Sequence, residues 1–339
     1  MAPLAAIFGC AGPQLEAAER DFFARSDPTG FILFARNCES PAQLRALVAA
    51  LRQSVGREDA PVLVDQEGGR VQRLKPPQWR AAPAPGRFGE IAVKDPARAA
   101  EAVRLNARLI AGELVAAGID TVGAPSLDLR LPGAHQVIGD RAFSADPETV
   151  AALGRAACEG FLSAGVTPVI KHLPGHGRSQ VDSHLSLPVV DAPLAELEAS
   201  DFRPFRALAD MPLGMTGHLL IPAIDAERPA TISSRVIAEV IRGFIGFQGV
   251  LITDDLSMEA LSGTVQSRAA AAIAAGCDLA LHCNGKLAEM AAIAEALPPI
   301  SPGAAAKLAK ARPRPPAGAA DPAELARRLD LLLTGASHA

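Results

Sequence analysis

The sequence is poor in several features that mark particular protein classes. It has no tyrosine and a single tryptophan, Trp79. Its five cysteines are odd in number, scattered and without a CxxC pair, so we expect reduced, buried thiols in a cytoplasmic protein and no cysteine-built zinc cage. No run of about 18 apolar residues is present, so a membrane span is not expected. The apolar segment from Leu4 to Cys10 is short and lacks preceding positive charge, which argues against a secretion signal.

Blocks of like charge are also absent. The chain of 339 residues has 33 basic and 37 acidic side chains and a net charge of −4. This balance indicates neither a nucleic-acid-binding surface nor attraction to an anionic membrane. Apolar residues make up 49% and charged residues 21%, so the chain can bury a large core and general disorder is excluded.

Short apolar runs alternate with longer helical patterns along the whole chain. Within each run the apolar residues are consecutive, as in a parallel strand that is buried on both faces. Eight such strands with intervening helices predict an α/β fold, a (β/α)8 TIM-type barrel, as a single domain over residues 1–339. The predicted strands are Leu4–Phe8, Phe31–Phe34, Val62–Val64, Thr121–Ala124, Val166–Ile170, Leu213–Thr216, Val250–Thr253 and Leu279–His282.

The helices between these strands have recognisable ends. Ser40, Asp95 and Asp146 each precede a proline, which places a capping side chain before a proline at the first helical position. Gly118, Gly165 and Gly276 follow helical stretches, where a left-handed residue stops a helix. The Pro- and Ala-rich tail from about residue 299 is interpreted as a loop before one last helix near residues 323–333.

A doubly wound open sheet is the alternative architecture. It would require a glycine-rich turn after the first strand. The segment Gly9-Cys10-Ala11-Gly12 matches that pattern poorly, and a proline follows it. The barrel is therefore the favoured fold.

Ionisable residues follow most of the predicted strands. In a barrel of this kind the loops after the strands build the active site, so polar residues at those ends are catalytic candidates. Unpaired charge beside the core is costly, which makes this clustering hard to explain by stability alone. The candidates are Arg36, Asn37, the segment from Asp65 to Arg70, Asp128, Lys171, His172, His218, Asp254, Asp255 and His282.

The loop after the fifth predicted strand is the densest feature. It runs from Lys171 to His184 and contains three of the seven histidines. Its proline and glycines exclude a helix, so His172 and His176 are not a helical metal pair. Asp182 lies two residues before His184 and could fix its tautomer and stabilise the imidazolium. A solvated surface loop and a zinc site formed by His176, Asp182 and His184 remain alternatives.

Asp254 closes the seventh predicted strand. A carboxylate in that position can be a nucleophile, a base or a metal ligand. The structural alternative is an N-cap for a helix starting at Leu256, a role that suits Asp255 better because it is nearer.

Taken together, these segments resemble family 3 glycoside hydrolases, and among them the compact single-domain bacterial β-N-acetylhexosaminidases of peptidoglycan recycling. The resemblance covers about residues 30 to 262 and is most specific in the KHLPGHG…DSH and TDDLSM strings. It is supported by the DQEGGRVQR string that starts at Asp65, by the GDRAFS string that starts at Gly139 and by Gly217-His218.

The resemblance implies a role for each matching residue. Asp254 would be the nucleophile that forms a covalent glycosyl–enzyme intermediate. His184 would be the acid/base, held by Asp182. The residues implied to bind the sugar in the first subsite are Asp65, Arg73, Arg141, Lys171 and His172.

The implied substrate is a small soluble muropeptide, N-acetylglucosamine linked β-1,4 to anhydro-N-acetylmuramic acid, cleaved in the cytoplasm without a metal or organic cofactor. The scarcity of aromatic residues suits such a short substrate.

A histidine has an unperturbed pKa of about 6.5 and can both donate and accept a proton near neutral pH. It also adds no second negative charge, so phosphorolysis is an alternative reaction, as is β-glucosidase activity. A non-catalytic sugar-binding protein and a metal hydrolase are the alternatives from other classes. The oligomeric state stays open.

Overall fold

The computed structural model describes residues 2–131, 133, 138–179, 186–312 and 321–335. Eight parallel strands close into a barrel in the order in which they follow one another along the chain, and the last strand pairs back to the first. Each overlaps one of the eight predicted strands, so the barrel prediction is confirmed and the open-sheet alternative is wrong. The barrel strands are β1 (Leu4–Gly9), β2 (Pro28–Leu33), β3 (Val62–Val64), β6 (Thr121–Val122), β7 (Thr167–Leu173), β8 (Leu213–Thr216), β9 (Val250–Asp255) and β10 (Leu279–His282).

Helices surround this barrel. Ser40, Asp95 and Asp146 cap three of them as predicted, each accepting a hydrogen bond from a backbone N–H of the first turn. The helix before β9, Val236–Phe244, has π-type hydrogen bonds. The α-helices are α1 (Ala17–Ser26), α2 (Pro41–Ser54), α3 (Pro85–Ala92), α4 (Pro96–Ala116), α5 (Pro147–Ser163), α6 (Leu194–Ala199), α7 (Arg203–Ala207), α8 (Val265–Ala275), α9 (Leu287–Ala296), α10 (Pro302–Ala311) and α11 (Pro322–Thr334).

The core has two layers. One lies between the sheet and the surrounding helices, and the other fills the barrel with inward-facing side chains such as Ile7, Val169 and Ile252. Because each strand contributes to both layers, its apolar residues are consecutive in the sequence.

All five cysteines are free, and four of them are buried, which confirms the prediction of reduced thiols.

Helix α10 corrects one expectation. The segment after residue 299 was predicted to be a loop, yet residues 302–311 form a helix that starts with the capping side chain of Ser301 and Pro302 at its first position. Ala304 and Ala311 pack into the inner core layer, and the carbonyl of Ala311 accepts a hydrogen bond from Thr167 at the start of β7. The helix therefore closes the N-terminal end of the barrel. The last helix, α11, is present as predicted.

A small hairpin after β3 was not anticipated. It consists of the antiparallel strands β4 (Gln66–Gly68) and β5 (Val71–Gln72). The buried side chain of Gln66 accepts hydrogen bonds from the backbone N–H groups of Arg73 and Leu74, which fixes the chain after the hairpin. The hairpin thus holds Asp65 and Arg73 at the same end of the barrel.

The segment that carries Arg141 packs tightly on α3. A Cβ atom at Gly89 would collide with the carbonyl oxygen of Phe143, so only glycine allows this approach.

No helix in the described residues is long and apolar enough to cross a membrane.

Candidate active site

A cavity of about 290 Å³ lies at the C-terminal end of the barrel strands. Its walls combine charged groups with an apolar side that includes Ile32, Met215, Met258 and Leu281. The polar residues that line it are Asp65, Arg70, Arg73, Arg141, Lys171, His172, His176, Asp254 and Asp255.

Lys171 is the centre of a buried ion network in this cavity. Its ammonium nitrogen lies 2.7 Å from Asp65 Oδ1 and 2.8 Å from Glu67 Oε1. The side chain of Lys171 is 3% exposed and that of Glu67 is 1% exposed, so both charges depend on their partners rather than on water. A Cβ atom at Gly123, after β6, would collide with Asp65, so glycine leaves room for this pair.

Two arginines extend the network. Arg141 binds Glu67 through two parallel hydrogen bonds, Nε to Oε2 at 2.9 Å and Nη2 to Oε1 at 2.8 Å. Arg73 donates to Asp65 Oδ2 at 3.1 Å, and its guanidinium lies 5.2 Å from the centre of the Phe34 ring. The planar guanidinium groups hold both carboxylates in fixed orientations.

The ion pairs keep both carboxylates charged. Burial alone would raise the pKa of Asp65, but the charges of Lys171 and Arg73 outweigh it and hold that pKa well below its usual range. Burial would also raise the pKa of Glu67, but the charges of Arg141 and Lys171 outweigh it and lower that pKa to about 2. At neutral pH these groups therefore accept hydrogen bonds only.

Asp254 lies at the end of β9 and lines the cavity. Burial would raise the pKa of its carboxyl, but the nearby His172 and His218 and a hydrogen bond from the N–H of Asp255 lower it overall. That hydrogen bond reaches Oδ1 and measures 2.8 Å. Within the described residues Asp254 makes no ion pair of 4.0 Å or less, unlike Asp65, Glu67 and Asp128. It is therefore an ionised carboxylate, and no cation of the described part of the chain is in contact with it.

Asp255 has a structural role, though not at the predicted helix. Its carboxylate accepts hydrogen bonds from the N–H and hydroxyl of Ser257 and from the N–H of Cys283. The helix expected from Leu256 begins only at Val265, with Thr264 as its cap. The intervening residues instead form a turn whose backbone Asp255 ties to β10.

The two histidines after Lys171 differ in their surroundings. His172 Nδ1 lies 2.6 Å from Oδ2 of the buried Asp128. His176 Nδ1 has no hydrogen-bond partner among the described residues, and burial lowers the pKa of His176 to about 4. The His176 ring is therefore neutral at neutral pH.

The structure brings together six of the predicted site residues. Asp65, Arg73, Arg141, Lys171, His172 and Asp254 all line the cavity. The other two, Asp182 and His184, lie outside the described residues. Among the residues that are described, no three His, Cys, Asp or Glu side chains are grouped as a metal site; two of the three ligands in the zinc hypothesis are not among them.

The remaining candidates at the strand ends have structural partners. His218 lies between Thr231 Oγ1 and the carbonyl of Asp255, and His282 is bonded to Glu289. Arg36 and Asn37 bind backbone carbonyls of neighbouring segments. Glu67 and Asp128 also follow strands of the predicted barrel but are not among the predicted site residues; both hold predicted site residues in place. Their only sequence signal is an acidic residue after a strand, which does not reveal its partner.

We predict that Glu67→Gln lowers the free energy of unfolding by about 3–5 kcal/mol at pH 7, because it leaves two buried cations without a full partner. The pKa of Glu67 is about 2 when folded and about 4.3 when unfolded. Its low folded pKa stabilises the protein above pH 4.3, and this stabilisation is lost as the pH falls towards 2. Urea unfolding at pH 7, 4 and 3 should show the deficit shrinking with pH.

The matched control is Glu90→Gln, since Glu90 forms an exposed pair with Arg87 and should change stability by less than about 1 kcal/mol. A deficit for Glu67→Gln that is equal at pH 7 and pH 3 would contradict the assignment.

Known proteins resemble this chain over most of its length. The family model for the glycosyl hydrolase family 3 N-terminal domain matches residues 7–307. The β-hexosaminidase of Alkalilimnicola ehrlichii is 42% identical over 313 residues, which cover 91% of this chain and 88% of that protein. The β-hexosaminidase of Methylococcus capsulatus is 42% identical over 309 residues, covering 89% and 90%.

A solved structure extends the similarity to the whole chain. NagZ from Neisseria gonorrhoeae, in complex with N-trifluoroacetyl-D-glucosamine, superposes with a TM-score of 0.88 at 31% identity and covers 99% of both chains. With its barrel, its cavity and these relatives, the chain belongs to glycosyl hydrolase family 3, as an enzyme of the β-N-acetylhexosaminidase type.

Proposed function

We propose that this enzyme is a retaining, exo-acting β-N-acetylglucosaminidase that removes non-reducing N-acetylglucosamine from peptidoglycan fragments, N-acetylglucosaminyl-β-1,4-anhydro-N-acetylmuramyl peptides. The observation that carries the proposal is the state of Asp254. Asp65, Glu67 and Asp128 are each bound by a cationic or imidazole partner. Asp254 is ionised, faces the cavity and has no such partner among the described residues. It is thus the carboxylate best suited to attack.

The proposed reaction has two steps. In the first, a carboxylate oxygen of Asp254 bonds to the anomeric carbon while the glycosidic C–O bond breaks and His184 gives its proton to the leaving oxygen. In the second, His184 takes a proton from water, the water oxygen bonds to the anomeric carbon, and the bond to Asp254 breaks. Asp182 is proposed to hold the imidazole of His184. Two displacements retain the β configuration.

The ion network provides the proposed sugar contacts. Asp65 can accept hydrogen bonds from sugar hydroxyls, and Lys171, Arg73 and Arg141 can donate them. Because these groups already neutralise one another, they are positioned before the substrate arrives, and little reorganisation is needed on binding. His172 is the fifth proposed sugar ligand.

The cavity supports the choice of a single N-acetylated sugar. At about 290 Å³ it is near the lower limit of about 300 Å³ for ligand pockets, which suits one monosaccharide unit better than a polymer. The apolar wall of Met215, Met258, Ile32 and Leu281 can cover the methyl of an acetamide. The related gonococcal NagZ holds an N-acylated glucosamine, which supports the same preference here.

Two further features of the proposal rest on the chain's chemistry. The five unpaired cysteines suit a reducing compartment, so we place the activity in the cytoplasm. A histidine acid/base adds no second anion to the cavity, so phosphate could replace water as the acceptor. Phosphorolysis and glucosidase activity are therefore outcomes that the experiment must separate.

We expect the wild-type enzyme to release nitrophenol from the β-N-acetylglucosaminide about 10- to 200-fold faster than from the β-glucoside, the range for a small apolar group held in a pocket. Asp254→Asn should lose at least about 10³-fold in kcat, because the nucleophile is gone. Proton NMR of the released sugar should show the β anomer first. Initial rates with and without phosphate identify the acceptor.

The matched control is Asp120→Asn, which replaces a half-buried carboxylate at the opposite end of the barrel; it should retain wild-type kcat. Preference for the glucoside, or formation of a sugar phosphate as the main product, would replace the proposed function with the corresponding alternative.

A second prediction tests the acid/base. His184→Gly should lower kcat/KM by about 10²–10⁴-fold for a substrate with a poor leaving group, since that oxygen needs a proton. The loss should be much smaller with a 2,4-dinitrophenyl leaving group, and added azide should restore turnover by attacking the intermediate. Asp182→Asn should show the same pattern more weakly. Equal losses for good and poor leaving groups would refute this role for His184.

A further inference from the structure

Asp128 has an arrangement of contacts that the proposed reaction does not use. Asp128 is 1% exposed, and its carboxylate lies behind His172 rather than in the cavity wall. Oδ2 lies 2.6 Å from His172 Nδ1 and accepts a hydrogen bond from Ser126 Oγ at 3.0 Å. Oδ1 accepts from the backbone N–H of His176 at 2.7 Å and from that of His172 at 3.4 Å. Three of these four contacts therefore go to the turn that carries His172 and His176.

These contacts determine the tautomer of His172. Burial would raise the pKa of Asp128, but His172 and the N–H of His176 help to hold it well below its usual range, so the carboxylate is ionised and can only accept. His172 must then carry a hydrogen on Nδ1. Because His172 lines the cavity, Nε2 is the nitrogen left to meet a ligand.

The neighbouring His176 shows that this arrangement is selective. The two rings lie 5.7 Å apart, yet Asp128 contacts only the backbone of His176 and leaves its Nδ1 without a partner among the described residues. One carboxylate thus orients the ring of one histidine and anchors the main chain of the other.

We propose that Asp128 is a positioning residue that keeps His172 in the Nδ1–H tautomer, so that Nε2 is presented to a hydroxyl of the bound sugar beside Asp254. The inference rests on the proposed function, because it assigns His172 to the sugar. A carboxylate behind a histidine commonly fixes both the orientation and the tautomer of the ring. The competing explanation is purely structural: Asp128 could serve only to anchor the turn through the N–H of His176.

Asp128→Asn separates the two explanations. The asparagine keeps a carbonyl oxygen for the N–H of His176, so the anchor survives, while its amide group can donate to His172 Nδ1 and favour the opposite tautomer. We expect kcat/KM for the nitrophenyl N-acetylglucosaminide to fall by about 10- to 100-fold, mainly through a higher KM. The control is Asp278→Asn, a half-buried carboxylate bound to Arg242 and to the N–H of Leu251, which should retain kcat/KM.

A double-mutant cycle tests whether Asp128 acts through His172. In the His172→Gln background, Asp128→Asn should change kcat/KM by less than about 2-fold, whereas its effect on Tm should be similar in both backgrounds. If Asp128→Asn lowers kcat/KM by the same factor with and without His172, the effect passes through the anchored turn and the proposal is overturned. An effect no larger than that of Asp278→Asn overturns it as well.

Nitrogen-15 NMR of histidine-labelled enzyme provides a readout that needs no turnover, and its wild-type result needs no Asp128 variant. The resonances that disappear in His172→Gln should show a protonated Nδ1 in the wild type, and Asp128→Asn should shift the hydrogen to Nε2. A wild-type His172 protonated only on Nε2 would overturn the proposal even in an active enzyme. The Nδ1–H tautomer in an enzyme that cleaves no N-acetylglucosaminide would instead count against the proposed function alone.

Discussion

The structure depends on the neutralisation of charge around Lys171. A buried ammonium group is tolerated only when carboxylates surround it, and here Asp65 and Glu67 do so at 2.7 and 2.8 Å. The same carboxylates orient Arg73 and Arg141. Strand ends that are far apart in the sequence must therefore bring these side chains into hydrogen-bond contact. The closed barrel achieves this because its parallel strands all end at one rim.

Among the described residues, no cation lies in contact with the carboxylate of Asp254. Asp254 stays ionised because His172 and His218 lower its pKa against the effect of burial. Neither histidine forms an ion pair with it, because Asp128 and Thr231 hold the two rings. The site thus provides a charged carboxylate whose oxygen is available for a substrate, which is what a nucleophile requires.

The sequence predicted the barrel because parallel strands that are buried on both faces consist of consecutive apolar residues. Each of the eight apolar runs overlaps a barrel strand of the structure. It predicted poorly where tertiary contacts outweigh local pattern. Strand β7 continues to Leu173 through Lys171 and His172, since distant carboxylates stabilise these polar residues inside a strand. The prolines that flank helix α10 indicate a loop in the sequence, but its alanines pack under the barrel and stabilise a helix. The motifs identified the cavity residues, but the roles of Glu67 and Asp128 could not be predicted, because they depend on pairs formed by barrel closure.

The central claim is that Asp254 forms the covalent bond to the sugar, and the most direct test is to trap that bond. The enzyme is incubated with an activated 2-deoxy-2-fluoro glycoside, digested with trypsin and analysed by fragmentation mass spectrometry. The account predicts one added glycosyl group on the peptide of residues 243–268, with fragment ions that assign it to Asp254 rather than to Asp255. A glycosyl group on Asp255, or on Asp65 in the peptide of residues 58–70, would contradict it.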